Sequence, residues 1–180
     1  MTNQSIPTEF QRLLLQTVFA FMICDTHISQ DEVALIKENA SDKLFGDLNI
    51  EDELAELIDH VNRRGIDFFD DYFKRVKRIE MDEEQELLLL ESAIKTVQAD
   101  DSIKPEEVNF LKILRVLLKL TNDKILEKFP VVGPQFIDKD RFTDIYFKEL
   151  YANYAKLTEM PVFDVSDVQD ITDTVKDKMK

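Results

Sequence analysis

Val18-Phe-Ala-Phe-Met-Ile-Cys24-Asp25-Thr26-His27-Ile28-Ser29-Gln30-Asp31-Glu32-Val33 runs an apolar stretch into a polar corner and out into a new amphipathic pattern. Ser29 and Glu32 have the S-x-x-E spacing of a capping box, so a helix opens at this point. The arrangement returns at an offset of 75 residues in Ala93-Ile-Lys-Thr-Val-Gln-Ala99-Asp100-Asp101-Ser102-Ile103-Lys104-Pro105-Glu106-Glu107-Val108. Asp25 aligns with Asp100, Ile28 with Ile103, Asp31 with Glu106, Glu32 with Glu107 and Val33 with Val108, while small Cys24 aligns with small Ala99. Each half reads as an apolar helix with Asp at its end, a short loop with one buried Ile, and a second helix with Glu at its third position. Two such hairpins about a pseudo-two-fold axis make a compact helical core.

Working outward, helical patterning continues nearly throughout. Thr8 and Gln11 start a helix behind Pro7, and its residues to Ile23 are apolar almost all round, which places it at the centre of a bundle. Further helices are expected over about Ile50 to Arg64, with Gly65 as its left-handed stop, and from Ile66 to Arg78. The acidic cluster Glu80 to Glu86 opens another that ends near Asp100, and Pro105 opens one reaching Leu120. Beyond residue 120 come a short helix over Asp123 to Phe129 and a Pro130-Val-Val-Gly133-Pro134 linker. An amphipathic helix through Phe142 and Leu157 and an Asp-spaced acidic tail follow. The expected fold is an all-α, single-domain bundle of about seven or eight helices. Residues 1–120 form the duplicated core, and 121–180 supply the linker, C-terminal amphipathic helix and acidic tail.

The 180-residue chain carries 37 acidic and 23 basic residues, a net charge of −14, which argues against nucleic-acid and anionic-membrane surfaces. Three glycines do not make a phosphate-cradling loop, and one cysteine makes neither an internal disulfide nor a zinc ribbon. Met1 to Phe10 lacks the basic patch and apolar run expected of a signal peptide, and the longest apolar run nearby, Val18 to Cys24, is too short for a transmembrane segment. A cytoplasmic protein is expected.

Asp25, Glu32, Asp100 and Glu107 are the candidate metal ligands. If the axis brings the two corners together, four carboxylates converge, and a hard cation such as Mg²⁺ or Ca²⁺ suits oxygen donors. Each residue also has a structural use, since Glu at the third helical position and Asp in a turn both cap backbone N–H groups. Neither loop is an EF-hand. Counting from Asp25, Gln30 and Ile36 stand where Gly and a bidentate Glu belong, and Pro105 and Leu111 do so counting from Asp100. Cys24 beside Asp25 and His27 reads as a buried structural thiol, and His60 as a surface residue. The basic run Arg63, Arg64, Lys74, Arg75, Lys77 and Arg78 reads as a solvated face, with docking of the chain's own acidic segments or of an acidic partner as the alternative. Phe68 falls off the apolar face of its helix and is expected to be exposed.

The two corners, Cys24-Asp25-Thr26-His27-Ile28-Ser29-Gln30-Asp31-Glu32 and Ala99-Asp100-Asp101-Ser102-Ile103-Lys104-Pro105-Glu106-Glu107, resemble the twice-occurring Ala-Asp-Gly, Ile, acidic-pair motif of the tellurite-resistance TerB-like domain, over roughly residues 8–120. The family's Gly after Asp is Thr26 here in one copy and Asp101 in the other, so a positive-φ turn is strained at Thr26. The resemblance implies an all-helical bacterial protein linked to tellurite and chemical stress. It also implies action without catalysis of its own, through protein partners in larger assemblies, and metal binding through acidic residues. The rivals are a metal-free helical adaptor and a metal-dependent hydrolase using the same carboxylates. The hydrolase lacks a Gly-hinged lid and a histidine behind the carboxylates.

Overall fold

The structure, a computed structural model, describes residues 8–99, 103–130 and 144–168. Among these residues there are eight α-helices and no strands: α1 Thr8–Ile23, α2 Gln30–Ser41, α3 Ile50–Arg64, α4 Asp67–Arg78, α5 Glu83–Gln98, α6 Pro105–Leu117, α7 Asn122–Lys128 and α8 Asp144–Leu157. A 3₁₀ turn follows at Val165–Val168. The all-α bundle expected from the sequence is the observed fold. None of these helices is long and apolar enough to cross a membrane. The Pro130–Pro134 linker beyond Pro130, Phe142 and the tail after Val168 lie outside the described residues.

Helix boundaries follow local chemistry. Ser29 accepts from the Glu32 amide at 3.2 Å while Glu32 accepts from the Ser29 amide at 2.9 Å, a complete capping box. Asp82 and Gln85 build a second such box for α5, at 2.8 and 3.0 Å. At the end of α3, Gly65 takes φ 57°, and its amide returns to the Val61 carbonyl at 2.7 Å.

Helix α1 is the axis of the bundle. Every residue from Leu13 to Cys24 is buried, and the helix packs against α2, α3, α4 and, most extensively, α5. Each large apolar side chain moved from water to such a site contributes about 1.5–3 kcal/mol, which is why a helix without a polar face is stable here. Its hydroxyl at Thr17 is satisfied within the helix, donating to the Leu13 carbonyl at 2.8 Å. Ser92, 75 residues on, does the same to Leu88 at 2.9 Å, so the duplication extends into the paired cores.

Two expectations need correcting. Phe68 is fully buried, edge-on to Phe19 at 5.7 Å and Phe69 at 5.5 Å between ring centroids. Helix α4 is packed by α1, α3 and α6 together, so its buried surface is wider than one periodic stripe. Ile103 is 54% exposed, whereas its counterpart Ile28 packs against the core. The two loops therefore differ in what they bury.

Candidate functional site

The corners of the two hairpins meet. Lys104, the residue before α6, places its ammonium against the Asp25 carboxylate at the end of α1, so an ion pair joins one copy of the repeat to the other. The Asp25 side chain is 3% exposed, Glu32 is 1% exposed and Glu107 is completely buried. The neighbouring Cys24 thiol is fully buried and donates to the Phe21 carbonyl at 3.2 Å. Burial pushes this thiol well above its ordinary pKa, and the charges of Glu107, Asp25, Glu32 and Glu106 push it further the same way. Carboxylates of both hairpins thus act electrostatically on one thiol. Asp100 lies outside the described residues.

Each described carboxylate also holds backbone. Asp25 Oδ1 accepts from the His27 amide at 3.0 Å, Glu32 Oε2 from Ser29, and Glu107 Oε2 from the Lys104 amide at 2.8 Å. The two glutamates leave their other oxygens, Oε1, buried at the junction. An all-oxygen, all-carboxylate set of this kind fits a hard divalent cation and not a soft one. Among the described residues, no three His, Cys, Asp or Glu side chains form a ready-made metal cage.

The turn between α1 and α2 carries visible strain. Thr26 sits at φ 67°, with its amide bonded to the Ile23 carbonyl at 2.9 Å, in a conformation disfavoured for a β-branched residue. Thr26→Gly is expected to stabilise the protein by about 0.5–1 kcal/mol, the relief of strain exceeding the entropy that Gly loses on folding. A thermal melt checks this as a rise of about 2 °C.

The C-terminal helix closes over the junction. Tyr154 of α8 donates its hydroxyl to the Cys24 carbonyl at 2.8 Å, and its ring packs on Phe110 at 4.6 Å and Phe69 at 5.5 Å. Burial first, and then the nearby Cys24, raise the Tyr154 pKa, so its phenol stays a neutral donor at physiological pH. Cys24, sealed beneath it, is expected to be inert to an aromatic disulfide reagent at pH 8 in the native state and to react at once in denaturant. Rapid native labelling would contradict the buried-thiol assignment.

Neither Lys104 nor Tyr154 stands out as a site residue in the sequence. Lys104 had one signal, because it occupies the position of the N-cap Ser29 in the repeat and Lys is a poor cap. Tyr154 had none, since an aromatic at helical spacing reads as core. His60 is half-buried, with Nε2 3.1 Å from Asp71 and its ring edge-on to Phe68. Arg63, Arg64 and Lys74 pair with Asp59 at 2.9 Å, Asp71 at 2.9 Å and Asp70 at 2.6 Å, so this basic run engages carboxylates of its own two helices.

A family model described as Tellurite resistance protein TerB matches residues 7–127. The chain belongs to the TerB family. The match covers both hairpins and all but the last residue of α7, so the duplicated corners with Asp25, Glu32, Asp100 and Glu107 lie inside the TerB region, while α8 and Tyr154 lie beyond it. No curated protein and no solved structure gives a significant match to the chain.

Proposed function

We propose that this TerB-family chain is a non-enzymatic stress-response module of the cytoplasm that acts through protein partners and binds a divalent cation, Mg²⁺ or Ca²⁺, at the junction of its two corners. The observation that carries the cation reading is the Lys104–Asp25 pair, an ammonium already held by a carboxylate of the opposite corner. Asp25, Glu32 and Glu107 would supply the ligands, with Asp100 as the fourth by the symmetry of the repeat. The cation would neutralise buried carboxylate charge and tie the hairpins together. The tellurite association is drawn from the family description.

Lys104 and a metal ion compete for Asp25, which gives the reading a sharp test. Calorimetric titration with Mg²⁺, Ca²⁺ and Zn²⁺ is expected to show binding of a hard cation. Lys104→Met is expected to tighten it about tenfold, the scale of one removed competing charge near a protein surface. Asp100→Asn combined with Glu107→Gln is expected to abolish it. Absence of binding, or binding indifferent to these changes, removes the cation from the account.

The backbone-capping bonds of all three described carboxylates favour a second reading, a metal-free adaptor in which the junction only stiffens the fold. Partner capture that persists in chelator, together with a flat metal titration, is its signature.

A further inference from the structure

Roughly 13 Å back along α1 from the acidic junction, at the helical rise of 1.5 Å per residue, a cleft of about 910 Å³ opens between α1, α3 and α4. It gathers Arg12, Arg63, Arg64, Lys74, Arg75 and Arg78 in a chain whose net charge is −14. Most of these cations have carboxylate partners: Arg12 pairs with Glu53 at 3.1 Å, and Arg63, Arg64 and Lys74 pair within α3 and α4. Arg75 is different. It is half-buried, and its Nη1 donates to the amide oxygen of the buried Gln16 at 2.9 Å. No ion pair to a carboxylate is formed by Arg75 or Arg78 among the described residues. The two stand three residues apart on α4, a spacing that places like charges side by side on one face. Burial lowers the pKa of the Arg75 guanidinium, more than Glu9 raises it, while the like charges of Arg78 and Arg12 lower it and Glu53 raises it. A half-buried guanidinium with no direct carboxylate pair is stabilised by an incoming anion that bonds it.

We propose that this cleft binds a compact phosphate-bearing anion, gripped by Arg75 and Arg78 with Arg12 at its edge. Guanidinium forks match phosphate oxygens two at a time, and a multiply charged headgroup answers more than one arginine. The lining also carries Glu53, Glu56, Asp59 and Asp71, which repel an extended acidic chain more than a small anion that needs only the Arg75 and Arg78 guanidinium groups. A volume near 900 Å³ lies within the range of small-molecule sites. The site is separate from the cation junction and does not depend on it.

The test is calorimetric titration of the full chain with pyrophosphate at low salt, with chelator present so that the acidic junction plays no part. The arms are wild type, Arg78→Gln and Arg75→Gln, each checked for native melting, plus a hexaglutamate peptide. Arg78 is exposed, so its replacement leaves the fold intact even if the Arg75 variant is destabilised. Binding of pyrophosphate with a dissociation constant below about 1 mM, weakened about tenfold in Arg78→Gln and further at raised salt, supports the assignment. No binding up to about 10 mM, affinity unchanged by both substitutions, or tighter binding of hexaglutamate than of pyrophosphate overturns it. The last outcome would mark the cleft as a dock for an acidic protein segment.

Discussion

Replacing Phe110 by Ala is expected to cost about 4 kcal/mol, within the usual 3–5 kcal/mol for emptying a buried aromatic site. Phe110 is completely buried on α6, and its ring meets four others: Tyr154 at 4.6 Å, Phe69 at 4.7 Å, Phe73 at 5.5 Å and Phe21 at 6.1 Å between centroids. Those rings come from α8, α4 and α1, so this side chain ties four helices into one cluster. A gap there cannot be closed by one neighbour without pulling it from the others. With a urea slope of about 2 kcal/mol per molar, the unfolding midpoint should fall by about 2 M at unchanged slope. Phe110→Leu keeps most of the volume and should cost about half as much. A fall below about 1 kcal/mol for the alanine variant would mean that the cluster is not a packing centre.

The second large effect is expected at Glu86. Its Oε2 accepts from the backbone amides of Lys119 and Leu120 at 2.9 and 3.1 Å, although the residue is only 5% exposed. A carboxylate on the first turn of α5 therefore holds the chain where it passes from α6 to α7. Thr121 then caps α7, and Arg115 reaches Asn122 at 2.9 Å. Glu86→Ala leaves both amides without their acceptor, and loss of bonds to a charged group with a buried donor left behind costs about 3 kcal/mol. The melting temperature should drop by about 6–12 °C, with hydrogen exchange quickening first at Lys119 and Leu120. Glu86→Gln keeps an acceptor oxygen and should cost about 1 kcal/mol. Equal losses for the two variants would show that the negative charge, and not the acceptor oxygen as such, carries the effect.

Much of this architecture was readable from local chemistry. The starts of α2 and α6 were marked by Ser29 and Glu32 and by Pro105, the end of α3 by Gly65, and the central place of α1 by its lack of a polar face. These features act within a few residues, so one sequence carries them. Thr26 came instead from the family resemblance: it stands where the motif has Gly, so strain is expected there in a positive-φ turn, and its φ of 67° bears this out. What escaped were properties of three-dimensional neighbourhood. Phe68 lies off one helical stripe yet is enclosed because α4 has partners on several sides. Glu86 looked like one more acidic residue near a helix N-terminus, and nothing in its surroundings announced amides 33 and 34 residues away.

The candidate site divides along the same line. Asp25, Glu32, Asp100 and Glu107 could be selected because the duplication repeats within the chain, and the capping roles of the glutamates followed from their spacing. The meeting of the corners through Lys104 and Asp25, and the cover provided by Tyr154, depend on how the hairpins dock and where α8 lies. Periodicity is silent on both.

Diffraction from crystals soaked in Mn²⁺, whose anomalous signal marks its position, tests the cation junction most directly. The account predicts a peak among Asp25, Glu32 and Glu107 with the Lys104 ammonium displaced from Asp25. Manganese found only on exposed carboxylates, with the Lys104–Asp25 pair intact, would contradict it.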